Sequence, residues 1–270
     1  MSIIKTLCHG MLIGIANIIP GVSGGTMAVI LGIYDKIIDS VSGFFSKSIK
    51  ASYFTFLFQI TVGALLGVFM FSRLISYLLE FHMEPTHFFF LGLIIGSFPV
   101  VYTSHKNMRV DLKKGISFCL GAAAVFSLWF FPTVSFIFLP GQEMTLFVKA
   151  FLFLSGVIGT SAMVLPGISG SFLLLLMGSY GVILSAVSEF NFDILLYVAA
   201  GGFIGLVLFT KLISWALKLF PALTYYFILG LMMASIFKIW PGVPSGVIAL
   251  YSILAFLFGL GLTFLLKKKK

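Results

Sequence analysis

Two long apolar stretches, residues 5–45 and 147–188, are each broken near the middle by the same pattern. Pro20-Gly21-Val22-Ser23-Gly24 recurs as Pro166-Gly167-Ile168-Ser169-Gly170. The likeness continues at a fixed offset, with Gly32 and Tyr34 matching Gly178 and Tyr180. Further on, the run from Gly67 to Tyr77 matches the run from Gly205 to Trp215. Leu91-Gly92-Leu93 matches Leu229-Gly230-Leu231, and Ser97 falls opposite Ser235. Ordered matches across both halves are the mark of an internal repeat. The chain therefore reads as two copies, 1–145 and 146–270.

The solvent for this repeat is lipid. Only 9% of the 270 residues are charged, against about 25% in a soluble domain, too few to cover a water-facing surface. A spanning helix needs about 20 apolar residues. Full spans are expected at 53–79, 86–104, 115–138, 193–217, 222–240 and 246–266. The arm from Lys5 to Ile19 reaches only about 22 Å at 1.5 Å per residue, so each interrupted stretch reads as a hairpin that enters and leaves on one side; arms that cross fully, giving ten spans with the same sidedness, fit the charge pattern equally. Lys5, Lys36, Lys47 and Lys50 flank the first hairpin, and Lys106, Arg109, Lys113 and Lys114 follow the second span. Glu80 and Glu84 follow the first span, Glu143 the third, and Glu189 and Asp193 the second hairpin. Lys218 and Lys267 to Lys270 return to the basic side. Basic loops stay cytoplasmic, so both termini are expected inside. Three crossings per half turn the second copy upside down. The expected fold is an all-α integral membrane protein of two inverted-topology repeats, each a re-entrant helical hairpin plus three transmembrane helices. That build places a substrate site near the midplane, at broken helices in equivalent positions of the two halves.

The hairpin tips carry the chemistry. Pro20 and Pro166 end the incoming arms, Gly21 and Gly167 admit tight-turn dihedrals, and Ser23 and Ser169 suit the N-caps of the outgoing arms. An arm that starts inside the membrane presents free N–H groups to an anion. Ser23, Gly24, Gly25, Thr26, Ser169, Gly170 and Ser171 are the candidate phosphate-binding residues at these tips. Two other readings stay open: small residues that let the two tips pack, and unwound carbonyls that hold a cation. The motif lacks the lysine of a Walker loop. Arg73 and Lys211 occupy matching positions of the two copies, and a basic residue at membrane depth suggests function. Each is a candidate partner for an anionic headgroup, Arg73 towards the outer face and Lys211 towards the inner. Snorkelling to the headgroups is the alternative.

Other chemistry finds little support in the sequence. The net charge of +9 comes from loops that set orientation, so nucleic acid is not an expected partner. Cys8 and Cys119 have no metal or disulfide spacing. His9, His82, His87 and His105 form no metal set, and Lys238 reads as a snorkelling lysine. Asp35 and Asp39 offset Lys36 and its neighbours. Ser23 and Ser169 have no base or carboxylate pair nearby in sequence, so no catalytic residue is assigned. The rivals are an ion-coupled carrier of a small soluble anion, a membrane lipid phosphatase and a structural membrane scaffold without transport. No metal or cofactor is expected; a proton or a sodium gradient is the candidate driving force.

The doubled motif, together with the Gly-x-Tyr after each copy, resembles the PopT family, long catalogued as domain-of-unknown-function family 368. The resemblance covers essentially the whole chain. It implies a translocase of polyprenyl phosphate, chiefly undecaprenyl phosphate, in the bacterial cytoplasmic membrane. Such a protein returns the carrier lipid from the outer to the inner leaflet for cell-envelope synthesis. The family's re-entrant hairpins fall on 5–45 and 147–188. Its motif maps onto Pro20, Gly21, Ser23, Gly24, Gly25 and Thr26, and onto Pro166, Gly167, Ser169, Gly170 and Ser171. The second copy departs from the first, with Ser171 and Phe172 where the first has Gly25 and Thr26.

Overall fold

The computed structural model describes residues 2–18, 22–44, 50–103, 105, 107–128, 130 and 144–266. Pro20, Gly21, Lys47, Lys106, Glu143, the end of the span expected at 115–138 and the final lysines lie outside the described residues. Those described are all-helical. The first half holds α1 (Ile3–Ile18), α2 (Gly24–Ile30), α3 (Tyr34–Phe44), α4 (Ala51–Phe81), α5 (Met83–Tyr102) and α6 (Leu112–Ser127). The second holds α7 (Leu146–Val164), α8 (Gly170–Leu176), α9 (Tyr180–Ser188), α10 (Phe192–Leu219), α11 (Pro221–Ile239) and α12 (Gly246–Leu266).

Caps mark several starts. Asp111 accepts from Lys114 N at 2.9 Å and also pairs with the Lys114 ammonium at 3.0 Å. Thr145 and Asn191 cap α7 and α10 in the same way. Pro221 opens α11, where its missing N–H costs nothing.

Two features differ from the sequence reading. Each outgoing hairpin arm, expected as one helix, is two. Gly32 and Gly178 take positive φ, +64° and +76°. At each, the next residue's N–H reaches back to a carbonyl of the preceding turn: Ile33 to Ala28 and Ser179 to Leu174, both at 3.0 Å. This Schellman closure stops the helix, and α9 leaves α8 at 115°. The Gly-x-Tyr repeated in sequence is therefore a helix stop. The second difference lies in the long helices. Six described helices are long and apolar enough to cross a membrane: α4, α5, α7, α10, α11 and α12. The set includes α7, expected as a hairpin arm, and omits α6, whose described part has 16 residues. Seven-residue α8 rises only about 10 Å and cannot cross.

Glycines set the main packing. A Cβ on Gly63 would lie 2.3 Å from Leu7 O, one on Gly67 2.3 Å from Met11 O, and one on Gly10 2.4 Å from Ile60 O. These contacts run α1 parallel to α4 at backbone contact. The same contacts recur residue for residue between α7 and α10: Gly201 against Phe153 O, Gly205 against Val157 O, and Gly156 against Val198 O. The remaining long helices pair across the halves. Gly92 and Gly259 join α5 to α12 through Phe256 O and Phe89 O. Gly230 and Gly121 join α11 to α6 through Phe118 O and Phe227 O. Both pairs are also parallel. Ser97 and Ser235 bond the carbonyls of Ile94 and Met232, at 2.6 and 2.7 Å. Buried α5 and α11 form the centre, while α4, α10 and α12 turn large apolar side chains such as Phe69, Leu208 and Phe258 outward.

Candidate functional site at the hairpin tips

The two tips touch. Ser23 caps α2 by accepting from Thr26 N at 3.1 Å, and its hydroxyl donates to Leu165 O at 3.2 Å. Thr26 Oγ1 accepts from Gly167 N at 2.8 Å. A Cβ on Gly25 would meet the Leu165–Pro166 peptide at 3.1 Å, so no larger residue fits there without displacement. Gly167 has φ +86°, and a Cβ there would sit 2.6 Å from Leu231 O of α11. Only glycine makes this turn this close to a backbone.

The tips are unequal. The first is closed on itself: Gly24 N donates to Asn17 Oδ1 at 2.8 Å, Thr26 N to Ser23, and residues 25–30 are buried. The Gly24 and Thr26 N–H groups are thus spent on side chains of the hairpin itself, which favours the packing reading there. At the second tip, Ser169 makes no capping bond to the helix. Its hydroxyl pairs with that of Ser171 at 2.8 Å, and Ser171 is exposed. Within α8 only Gly170 is buried, its Cα against Gly159 O of α7. The difference was legible, because Met163 stands where the first half has Asn17 and Phe172 where it has Thr26.

Thr26→Val leaves the buried Gly167 N–H without its acceptor. The expected loss is about 1–3 kcal/mol, read as a lower melting temperature in detergent, with Thr26→Ser close to wild type.

Arg73 and Lys211 are not brought to the tips. Both are exposed on the outer faces of α4 and α10, eight residues or about 12 Å from the helix ends. Lys211 borders a shallow groove of about 360 Å³ with Phe203, Ile204, Val207 and Leu208. Both ammonium and guanidinium can reach headgroups from there, as snorkelling requires.

Sequence reasoning missed the seal around the first hairpin. The Asp35 carboxylate accepts from Tyr225 OH of α11, Asp39 from Ser214 of α10 at 3.5 Å, and Tyr34 OH donates to Val164 O at 3.2 Å. The ammonium of Lys36 lies over the Phe56 ring, 4.1 Å from its centre. The second half has Gly181 opposite Asp35 and His87 opposite Tyr225. A Cβ on Gly181 would meet open space, and His87 bonds only its own helix, at Met83 O. Among the described residues no three His, Cys, Asp or Glu side chains converge as a metal set.

Long helices wrapped around two interrupted hairpins that meet at their tips are the build of a membrane transporter. The chain belongs to the VCA0040-like family, described as undecaprenyl phosphate translocase-like, which it matches over residues 13–250. A polyprenyl-phosphate transporter of Vibrio cholerae serotype O1 is 34% identical over 262 residues, covering 89% of this chain and 79% of the relative. A polyprenyl-phosphate transporter of Staphylococcus aureus is 36% identical over 263 residues, covering 94% of this chain and 92% of that one. No solved structure matches.

Proposed function

We propose that this chain is a polyprenyl-phosphate translocase of the bacterial cytoplasmic membrane. It returns undecaprenyl phosphate from the outer to the inner leaflet by alternating access. The relatives' names support the substrate, and the parallel packing of α6 with α11 and of α5 with α12 supports the mechanism. Successive spans reverse direction, so a parallel contact between the second span of one half and the third span of the other fits two inverted repeats, 1–145 and 146–270. A symmetric scaffold of this kind has two exchangeable states, one open to each side.

The observation that carries the reading is the inequality of the tips. Hairpin 1 is sealed by Asp35, Tyr34 and Asp39, while at hairpin 2 the buried Ser169 hydroxyl bonds only that of the exposed Ser171, a pair a ligand could engage in its place. By the distribution of basic residues, hairpin 1 opens inside and hairpin 2 outside. On this reading the phosphate arrives from outside at the exposed Ser171, with Ser169 and Gly170 buried behind it. Ser23, Gly24, Gly25 and Thr26 hold the joint and take up their share when the seal shifts. Arg73 and Lys211, facing lipid, draw the headgroup to the protein on either side. The isoprenoid tail stays in the bilayer throughout. A proton or sodium gradient supplies net direction.

The test is a leaflet-accessibility assay of undecaprenyl phosphate in proteoliposomes, with and without each gradient. Ser169→Ala combined with Ser171→Ala removes two hydrogen bonds to a charged group, each worth about 1.5–3 kcal/mol. Translocation should fall about a hundred- to ten-thousandfold while insertion is unchanged. Wild-type protein that moves no more lipid than empty liposomes would end the proposal.

A further inference from the structure

The second tip meets a cation that the first half lacks. Lys238 lies in the last turn of α11, and its ammonium stands 3.1 Å from the centre of the Phe172 ring of α8. Phe172 directly follows Ser171, whose hydroxyl pairs with that of Ser169. A lysine that only snorkels stretches its head towards water. This one is half-buried and turned onto the neighbouring hairpin. Lys114 with Asp111 is the only ion pair among the described residues, so no described carboxylate neutralises Lys238. A ring face compensates only in part for an ammonium withdrawn from water. The ammonium thus lies on the ring of the residue next to Ser171, with no described carboxylate paired to it.

The two halves differ at both partners together. Phe172 replaces Thr26, the residue that closes the first tip by accepting from Gly167 N. Lys238 replaces Val100, its equivalent on α5. Where one half has a sealing threonine on α2 and a valine on α5, the other has an aromatic platform and a lysine. Trp240, half-exposed and packed on Phe88 at 5.3 Å, is an aromatic of the kind that marks the membrane interface. It sits two residues beyond Lys238, within reach of a lipid headgroup.

We infer that Lys238 is the cation that grips the phosphate monoester at the open second hairpin. The Ser169 and Ser171 hydroxyls donate to the same phosphate, and the Phe172 ring holds the ammonium in place until the anion arrives. This rests on the reading that hairpin 2 receives the lipid phosphate, and it names the charge that does so. The ligand is a phosphate monoester of charge about −1.5 to −2 near neutral pH. A neutral polyprenol with the same tail should gain nothing from Lys238.

The test measures binding of undecaprenyl phosphate and of undecaprenol to the full chain in nanodiscs, with inorganic phosphate as competitor. Lys238→Gln should weaken the phosphate lipid roughly ten- to hundredfold and leave undecaprenol unchanged. Lys238→Arg should stay within a few-fold of wild type, and Lys238→Met replaces the glutamine variant if that one does not insert. A packing role alone would weaken both lipids equally. Competition by inorganic phosphate at wild-type but not variant protein would identify the headgroup, not the tail, as what Lys238 reads. Unchanged preference for phosphate over alcohol in both neutral variants overturns the inference. If the Ser169 and Ser171 double variant then loses that preference, the broader reading stands. If it too is unaffected, the receiving site at hairpin 2 falls with it.

Discussion

Gly201→Val is expected to leave almost no folded protein after detergent extraction and size-exclusion chromatography. A Cβ at this position would lie 1.9 Å from the Phe153 carbonyl oxygen and 2.7 Å from its carbon. These are backbone atoms, so no rotamer change makes room. The α7–α10 pair has to separate by more than an ångström along its length, and it holds the second hairpin in place. Thr160 then loses its bond to Gly202 O, now 2.9 Å. In lipid there is no hydrophobic drive to restore the pair, which rests on close packing and such interhelical bonds. Overpacking alone commonly costs about 1–3 kcal/mol, and a whole interface is lost here. Gly63→Val, its equivalent against Leu7, should fail likewise. Gly261→Val is the control, because a Cβ there meets nothing within 4 Å. Folded yield from Gly201→Val equal to that control would refute backbone contact as the basis of the pairing.

That packing was legible in part. Hydropathy and Pro-Gly punctuation are local signals, and they marked five of the six long apolar helices and the turn at Pro166-Gly167. The repeat was visible where contacts are tightest, because Gly67 and Gly205 recur at one offset and do the same work against α1 and α7. The last helix of each half was alike only in hydrophobicity, yet Gly121 and Gly259 occupy equivalent contacts. A glycine in a run of phenylalanines and leucines signals close approach only once its partner helix is known. The tip residues stood out as a motif, but their different bonding in the two hairpins did not. Ser23 and Thr26 are spent on the joint because Leu165 and Gly167 face them, which is a tertiary fact. The useful signal lay where the copies disagree: Asn17 with Met163, Thr26 with Phe172, Asp35 with Gly181, Val100 with Lys238. Symmetric positions built the scaffold, and asymmetric ones made the two hairpins bond differently.

Linking positions 35 and 225 is expected to arrest translocation to background. The variant carries Asp35→Cys and Tyr225→Cys, with the exposed Cys8 and Cys119 replaced by serine, and is treated with a short cleavable bifunctional reagent. A direct disulfide is unsuited, since residues joined through a full tyrosine side chain have Cα atoms too far apart for one. In the structure the Asp35 carboxylate accepts from Tyr225 OH, tying α3 to α11, while Tyr34 reaches Val164 O beside the second tip. The first hairpin cannot open towards its own side with α3 held against α11. A carrier that alternates has to break this tie once per cycle, so a tie that cannot break halts it. Before linking, the variant should translocate, because the Asp35–Tyr225 bond biases the equilibrium between states but does not touch the lipid. Cleaving the linker should restore the rate. The equivalent pair, Gly181→Cys with His87→Cys, should link poorly in the resting protein, since that side is unsealed. Its yield should rise when the protein is driven to the opposite state. A fully linked 35–225 variant that still moves undecaprenyl phosphate at the unlinked rate would mean that this side never opens, and alternation between two mouths would have to be abandoned.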